Sequence, residues 1–144
     1  MSNQNISITV QCTVNASLEQ AWDYFTLPEH ITQWNFASDD WHTPKAENDL
    51  RVGGKYFARM EAKDGSFGFD LIGIYDEIVY QKLLAYHLED GRKVRVEFMS
   101  NESSTEITET FDAETENSKE LQRGGWQAIL DNFKRYAEKS NSTI

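Results

Sequence analysis

Glu109 is the residue whose position and chemistry disagree most. Ile107, Glu109 and Phe111 share one parity of an alternating run, so a strand there turns all three to the same face. An unpaired carboxylate on an apolar face either destabilises the fold or stays protonated above its usual range. A cavity water, a ligand or a cationic partner would relieve it. Uncharged, it could donate a hydrogen bond to a ligand carbonyl. A bulge that turns it to solvent, or a pair with a nearby Arg or Lys, is the plainer alternative. His42, between Trp41 and Pro44, is a candidate acid, base or ligand donor, because imidazole titrates near neutral pH. Its plainer role is to hold backbone at a strand edge. Asn132 interrupts an apolar helical arc and must find hydrogen bonds, either from a ligand or from a loop carbonyl.

Other chemistries lack their residues. There is no Gly-x-Ser-x-Gly, and Cys12 stands in a strand with no histidine beside it. Gly53-Gly54 is not followed by the Lys-Ser or Lys-Thr of a phosphate loop. His30, His42 and His87 have no paired spacing for a metal, so no metal and no cofactor is expected.

The elements that must position these groups follow from periodicity. Ile6, Ile8, Val10, Cys12 and Val14 alternate as a half-buried strand. Asn15 or Ser17 caps a helix carrying Leu18, Ala21, Trp22 and Phe25, and Pro28 opens a second short one. A short strand is expected around Trp41 to Ala46. Lys55 to Ala62 alternates, and Asp64-Gly65 and Asp90-Gly91 mark tight turns between strands. Phe67, Phe69, Leu71, Gly73 and Tyr75 share a face of a long strand. Gly73 there predicts a bend or a close approach. Leu84, Tyr86 and Leu88, then Val94, Val96 and Phe98, then Ile107 to Phe111 complete an antiparallel meander.

The last helix, Lys119 to Lys139, holds Leu121, Gly125, Trp126, Ile129, Asn132 and Phe133 within an apolar arc of roughly half its circumference, wider than the usual stripe. Such an arc requires something that curves around it, and a curved sheet gripping a helix encloses space. Gly124-Gly125 is expected to leave room, either for a neighbouring element or for that space. The tail from Ser140 is expected to fray.

Composition narrows the classes. The chain has 144 residues, enough for one domain, 1–144, with a real core. Its net charge of −10 would repel phosphate backbones, so no nucleic-acid partner is expected. The polar start, Met1 to Asn5, has no signal-peptide pattern, and no run is long enough for a membrane span. A cytoplasmic monomer is the expectation.

Residues along the whole chain carry a resemblance. They are Ala21-Trp22, Trp41-His42-Thr43-Pro44, Glu47 through Gly54, Met60 through Gly65, Gly73 through Ile78, Asp90-Gly91-Arg92, Thr108 through Phe111 and Gly124 through Phe133. In this order they resemble the helix-grip superfamily of START domains, Bet v-like allergens and polyketide cyclases. Closest is the branch named after the activator of heat-shock protein 90 ATPase. The resemblance implies an α+β helix-grip fold. A curved antiparallel sheet of about seven strands wraps a long C-terminal helix, with two short helices after the first strand.

It also implies an enclosed apolar pocket for a lipid-like, polyketide or flavonoid-like hydrophobic small molecule. The expected walls are Trp34, Phe36, Trp41, Met60, Phe69, Leu71, Tyr86, Val96, Phe98, Ile107, Phe111, Trp126, Ile129 and Phe133, with His42, Glu109 and Asn132 supplying polarity. Two other readings stay open. One is a cyclase- or hydrolase-type enzyme using His42 and Glu109 as an acid–base pair. The other is an interaction protein or chaperone-ATPase regulator. The eukaryotic activator has a separate N-terminal domain that engages the chaperone, whereas the first strand here starts at about Ile6.

Overall fold

A computed structural model describes residues 6–142. Met1–Asn5, on which the signal-peptide expectation rests, and positions 143–144 of the tail lie outside the described residues. The elements are β1 (Ser7–Val14), α1 (Leu18–Thr26), α2 (Pro28–Ile31), β2 (Trp41–Asn48), β3 (Lys55–Ala62), β4 (Gly68–Val79), β5 (Leu83–Leu88), β6 (Lys93–Asn101), β7 (Ser104–Asp112) and α3 (Lys119–Ser142). The strands form one seven-stranded antiparallel sheet in the order β1-β7-β6-β5-β4-β3-β2. It curls into a half-barrel with α3 against its inner face. The strand expected to end at Ala46 runs to Asn48, and the helix expected to fray from Ser140 continues to Ser142.

The sheet's two edges are β1 and β2, so α1 and α2 carry the chain from one edge to the other. Local chemistry starts α1 at Ser17 rather than Asn15. The Ser17 hydroxyl accepts from the Gln20 backbone N–H at 3.1 Å, and the Gln20 side-chain Oε1 accepts from the Ser17 backbone N–H at 3.2 Å. Pro28 opens α2, where its missing N–H costs nothing.

Strict alternation turns Ile8, Val10, Cys12, Val14, Val94, Val96, Phe98, Ile107 and Phe111 inward. An aromatic cluster of Trp22, Phe25, Trp34, Phe98 and Phe133 seals one end of the half-barrel, with centroids about 5 Å apart in mainly edge-on pairs. Helix α3 also guards the open backbone of edge strand β1. Gln127 donates to the Gln11 carbonyl at 3.0 Å, Lys134 to that of Thr13 at 2.6 Å, and Glu138 accepts from the Asn15 N–H at 2.9 Å.

Two local features shape the interior. The β2–β3 register shifts between His42 and Lys45, at the proline that has no N–H to give the ladder. There Thr43 turns inward and donates to the Asn35 carbonyl at 2.6 Å. On β4, a Cβ at Gly73 would sit 2.8 Å from Tyr86 Cδ2. The expected close approach is therefore by the Tyr86 ring, which uses that vacancy to lie near-parallel to Tyr56, 6.1 Å away.

Candidate functional site

Between α3 and the inner face of β3–β7 lies a cavity of about 240 Å³. Eight of the expected site residues line it: Trp34, Met60, Phe69, Leu71, Tyr86, Glu109, Trp126 and Ile129. Phe25, Asn35, Tyr56, Tyr75, Leu84, Leu88 and Arg92 complete the wall. Of these, Tyr56, Tyr75, Leu84 and Leu88 share the inward parity of their strands and were legible as wall residues. Phe25 reaches the cavity from α1, Asn35 from a loop and Arg92 from a turn, positions no strand parity describes.

The remaining expected residues lie elsewhere. Val96, Ile107 and Phe133 are fully enclosed in the core and Phe98 nearly so, and none of the four lines this cavity. Phe111 sits behind the wall and supports it, stacked on Trp126 with centroids 3.9 Å apart and planes 10° apart. Trp41 lines a second, more open hollow of about 340 Å³, with Leu121 and Gly125. That hollow shares Met60, Phe69, Trp126 and Ile129 with the cavity, so the two spaces adjoin at these four side chains. Of the two expectations for Gly124-Gly125, space is the one observed: a Cβ at either would meet nothing within 4 Å.

Phe36 contributes its backbone rather than its ring to the surroundings: its carbonyl, with that of Trp34, accepts from Asn132 Nδ2, at 3.4 and 2.9 Å. Asn132 is thus spent on loop carbonyls, its plainer role. Asn35 takes its place at the cavity, donating to the Tyr56 hydroxyl at 2.9 Å. His42 is paired in register with Glu61, and their side chains stand 3.7 Å apart, both well exposed, beside the Arg59–Asp70 pair. It does not line the cavity, so the His42–Glu109 acid–base pair does not form. His87 bonds Asp76 at 2.9 Å, and the His30 ring bonds the Tyr136 hydroxyl.

Glu109 does face inward. It lies in register between Val10 of edge strand β1 and Val96 of β6, one strand in from the sheet edge, and is 8% exposed. Its carboxyl forms no hydrogen bond or ion pair with the described residues. Burial alone pushes its pKa up to about 8. The hydroxyls around it are also held neutral by burial: Tyr56, Tyr75 and Tyr86 are all raised, and the charge of Glu109 adds to the rise at Tyr56 and Tyr86. Tyr75 donates to Asn48 Oδ1 at 2.8 Å. Arg92, at the cavity wall, is held by Asp90 at 2.8 Å. The site is therefore an aromatic box with, at its floor, one carboxyl that has no partner among the described residues. Such a site can bind and orient a small molecule, but it offers no nucleophile with a base beside it. Among the described residues, no group of His, Cys, Asp and Glu is arranged to hold a metal.

The relatives match this architecture. The family profile described as Activator of Hsp90 ATPase homolog 1-like protein matches residues 15–138. The solution structure of the AHSA1-like protein from Aeromonas hydrophila is 42% identical, covers 94% of each chain and superposes with a TM-score of 0.89. A protein from Cytophaga hutchinsonii is 45% identical over 97% of this chain and 96% of its own, with a TM-score of 0.78. One from Nitrosomonas europaea, at 17% identity and a TM-score of 0.81, over 94% of this chain and 96% of its own, shares the fold. No curated protein matches the chain. The chain belongs to the family of Activator of Hsp90 ATPase homolog 1-like proteins.

Proposed function

We propose that this protein binds a small, mostly apolar molecule in the cavity between α3 and the sheet. Its flat body would pack against Tyr56, Tyr86 and Trp126, and one polar group would meet Glu109. The observation that carries this reading is a carboxyl with no partner among the described residues facing a preformed aromatic-lined space. A closed core gains nothing from such a group, whereas a ligand with one polar end supplies its missing partner. A cavity of about 240 Å³ suits a compact planar molecule, of flavonoid-like or polyketide-like shape, better than a long acyl chain. The test is native mass spectrometry of the purified protein, followed by NMR titration with a flavonoid and fatty-acid panel. Co-purified small molecules, or shift changes centred on Tyr56, Tyr86 and Trp126, support it. Responses scattered over outward residues such as Lys55, Arg59 and Arg95 oppose it.

A second reading rests on a separate observation. Leu121 lines the outer hollow beside Trp41, and Phe67 packs edge-on against the Trp41 ring; Leu121 and Phe67 are each 63% exposed, an apolar surface. A chaperone ATPase is the partner suggested by the family's description. If a purified heat-shock protein 90 shows no change in ATPase rate on adding this protein, that reading is lost.

A further inference from the structure

We propose that the molecule taken up by the cavity is an organic cation, a protonated amine on a compact aromatic body, whose ammonium group pairs with Glu109 inside the aromatic box. This deepens the binding reading above and rests on it. A neutral ligand with a carbonyl end would need only a neutral donor, and the cavity already has hydroxyls for that at Tyr56 and Tyr86. A carboxyl is the costlier choice, and in its ionised form it is matched by a positive charge.

The protein does not supply that charge. Facing Glu109 or its surroundings are Cys12 from β1, Tyr56 from β3, Tyr75 from β4, Tyr86 from β5 and Arg92 from the β5–β6 turn. The Cys12 thiol is pushed up to about 12 by burial and then by Glu109, so it stays neutral. Arg92 is engaged by Asp90. On α3, Lys134 and Asp131 are both felt at Cys12, but Lys134 is spent on the Thr13 carbonyl and Glu138. Ring faces complete the argument. The electron-rich faces of Tyr and Trp repel an anion and attract a cation, so the aromatic walls and the floor favour the same charge, while the charge of Arg92 on the wall is offset by its pair with Asp90. The net charge of −10 adds long-range attraction for cations.

Binding has a proton signature. Below pH 8 the empty protein holds Glu109 protonated; the ammonium pairs with the carboxylate, and the displaced proton leaves to solvent. Amine affinity therefore rises by up to about tenfold per pH unit until Glu109 is ionised in the empty protein, and then levels.

The experiment compares naphthylmethylamine with naphthylmethanol, a near-isosteric neutral partner. Calorimetry at pH 6.5 in two buffers of different ionisation enthalpy reads both affinity and proton release. The expected result is an amine preference of about tenfold or more at pH 8.5, close to one proton released per amine bound at pH 6.5, and none released by the alcohol. In Glu109→Gln the amine-to-alcohol ratio falls to about one and proton release disappears. The proton count in the unsubstituted protein keeps the test decisive if that variant folds poorly. Equal binding of both compounds without proton release overturns the amine proposal and leaves the cavity a binding site. If neither compound shifts the NMR signals of Tyr56, Tyr86 or Trp126, both readings fall.

Discussion

At the scale of single residues, Glu109 couples the fold to pH. Its folded pKa, about 8, lies above the unfolded value of 4.5, so between those values the folded state holds the extra proton. Stability must then fall as pH rises through that window, by at most about 1.4 kcal/mol per pH unit, and flatten above it. Urea unfolding from pH 5 to pH 9 checks this, because Glu109→Gln removes the slope that belongs to this carboxyl. The lowered carboxyls Asp64, Asp90, Glu114 and Glu138 have the opposite sign and lose their contribution only at acid pH. Glu109→Leu is expected to stabilise the empty protein above pH 8, since an unpaired buried charge disappears. A carboxyl signal titrating at or below the ordinary glutamate range would mean that the group is solvated or paired, and would remove the basis of the site.

At the scale of elements, two glycines give opposite expectations. Gly73→Ala on β4 pushes a methyl into the Tyr86 ring, which must move off Tyr56. The expected cost is about 1–3 kcal/mol together with weaker probe binding, because both rings line the cavity. Gly125→Ala on α3 meets open space and gains helix propensity, so it should stabilise by up to about 1 kcal/mol. Thermal unfolding of the two variants side by side measures both signs. A stable Gly73→Ala with unchanged tyrosine shifts would mean that the ring arrangement is not set by the glycine. Helix α1 offers a smaller effect: Ser17→Ala removes the capping hydroxyl and should cost about 1 kcal/mol.

At the scale of the whole molecule, the half-barrel divides into a filled end and a hollow end. Phe133 and Phe98 fill the first, Phe25 and Trp34 stand at the boundary and also line the cavity, and Trp126 and Ile129, one to two turns earlier on α3, face the cavity. Phe133→Ala should therefore cost about 3–5 kcal/mol in denaturant unfolding, and a loss below about 1 kcal/mol would mean that α3 is not gripped. Among the described residues no helix is long and apolar enough to cross a membrane.

Much of this was legible in one dimension. A period of two placed the inward residues of β1, β3, β5, β6 and β7, Glu109 included, because alternation is a property of the extended backbone and needs no neighbour; Phe67, read on the same face as Leu71, lies before β4 and is exposed. The half-apolar arc of α3 demanded a concave partner, since apolar surface that wide must be covered. What parity could not tell was which inward residues meet each other and which meet empty space. Val96, Ile107 and Phe133 have the same pattern as Leu71 and Ile129, yet the first three are packed shut and the last two face a cavity. His42 was read from its type and its neighbours, and Asn132 from its place on the apolar arc of the last helix. Pairing with Glu61 across β2–β3 took one to the surface, and the carbonyls of Trp34 and Phe36 claimed the other. Asn35 and Arg92 reach the site from a loop and a turn, where no period applies. Whether a side chain borders a void depends on the volumes of residues far apart in the chain, and only the folded sheet brings those volumes together.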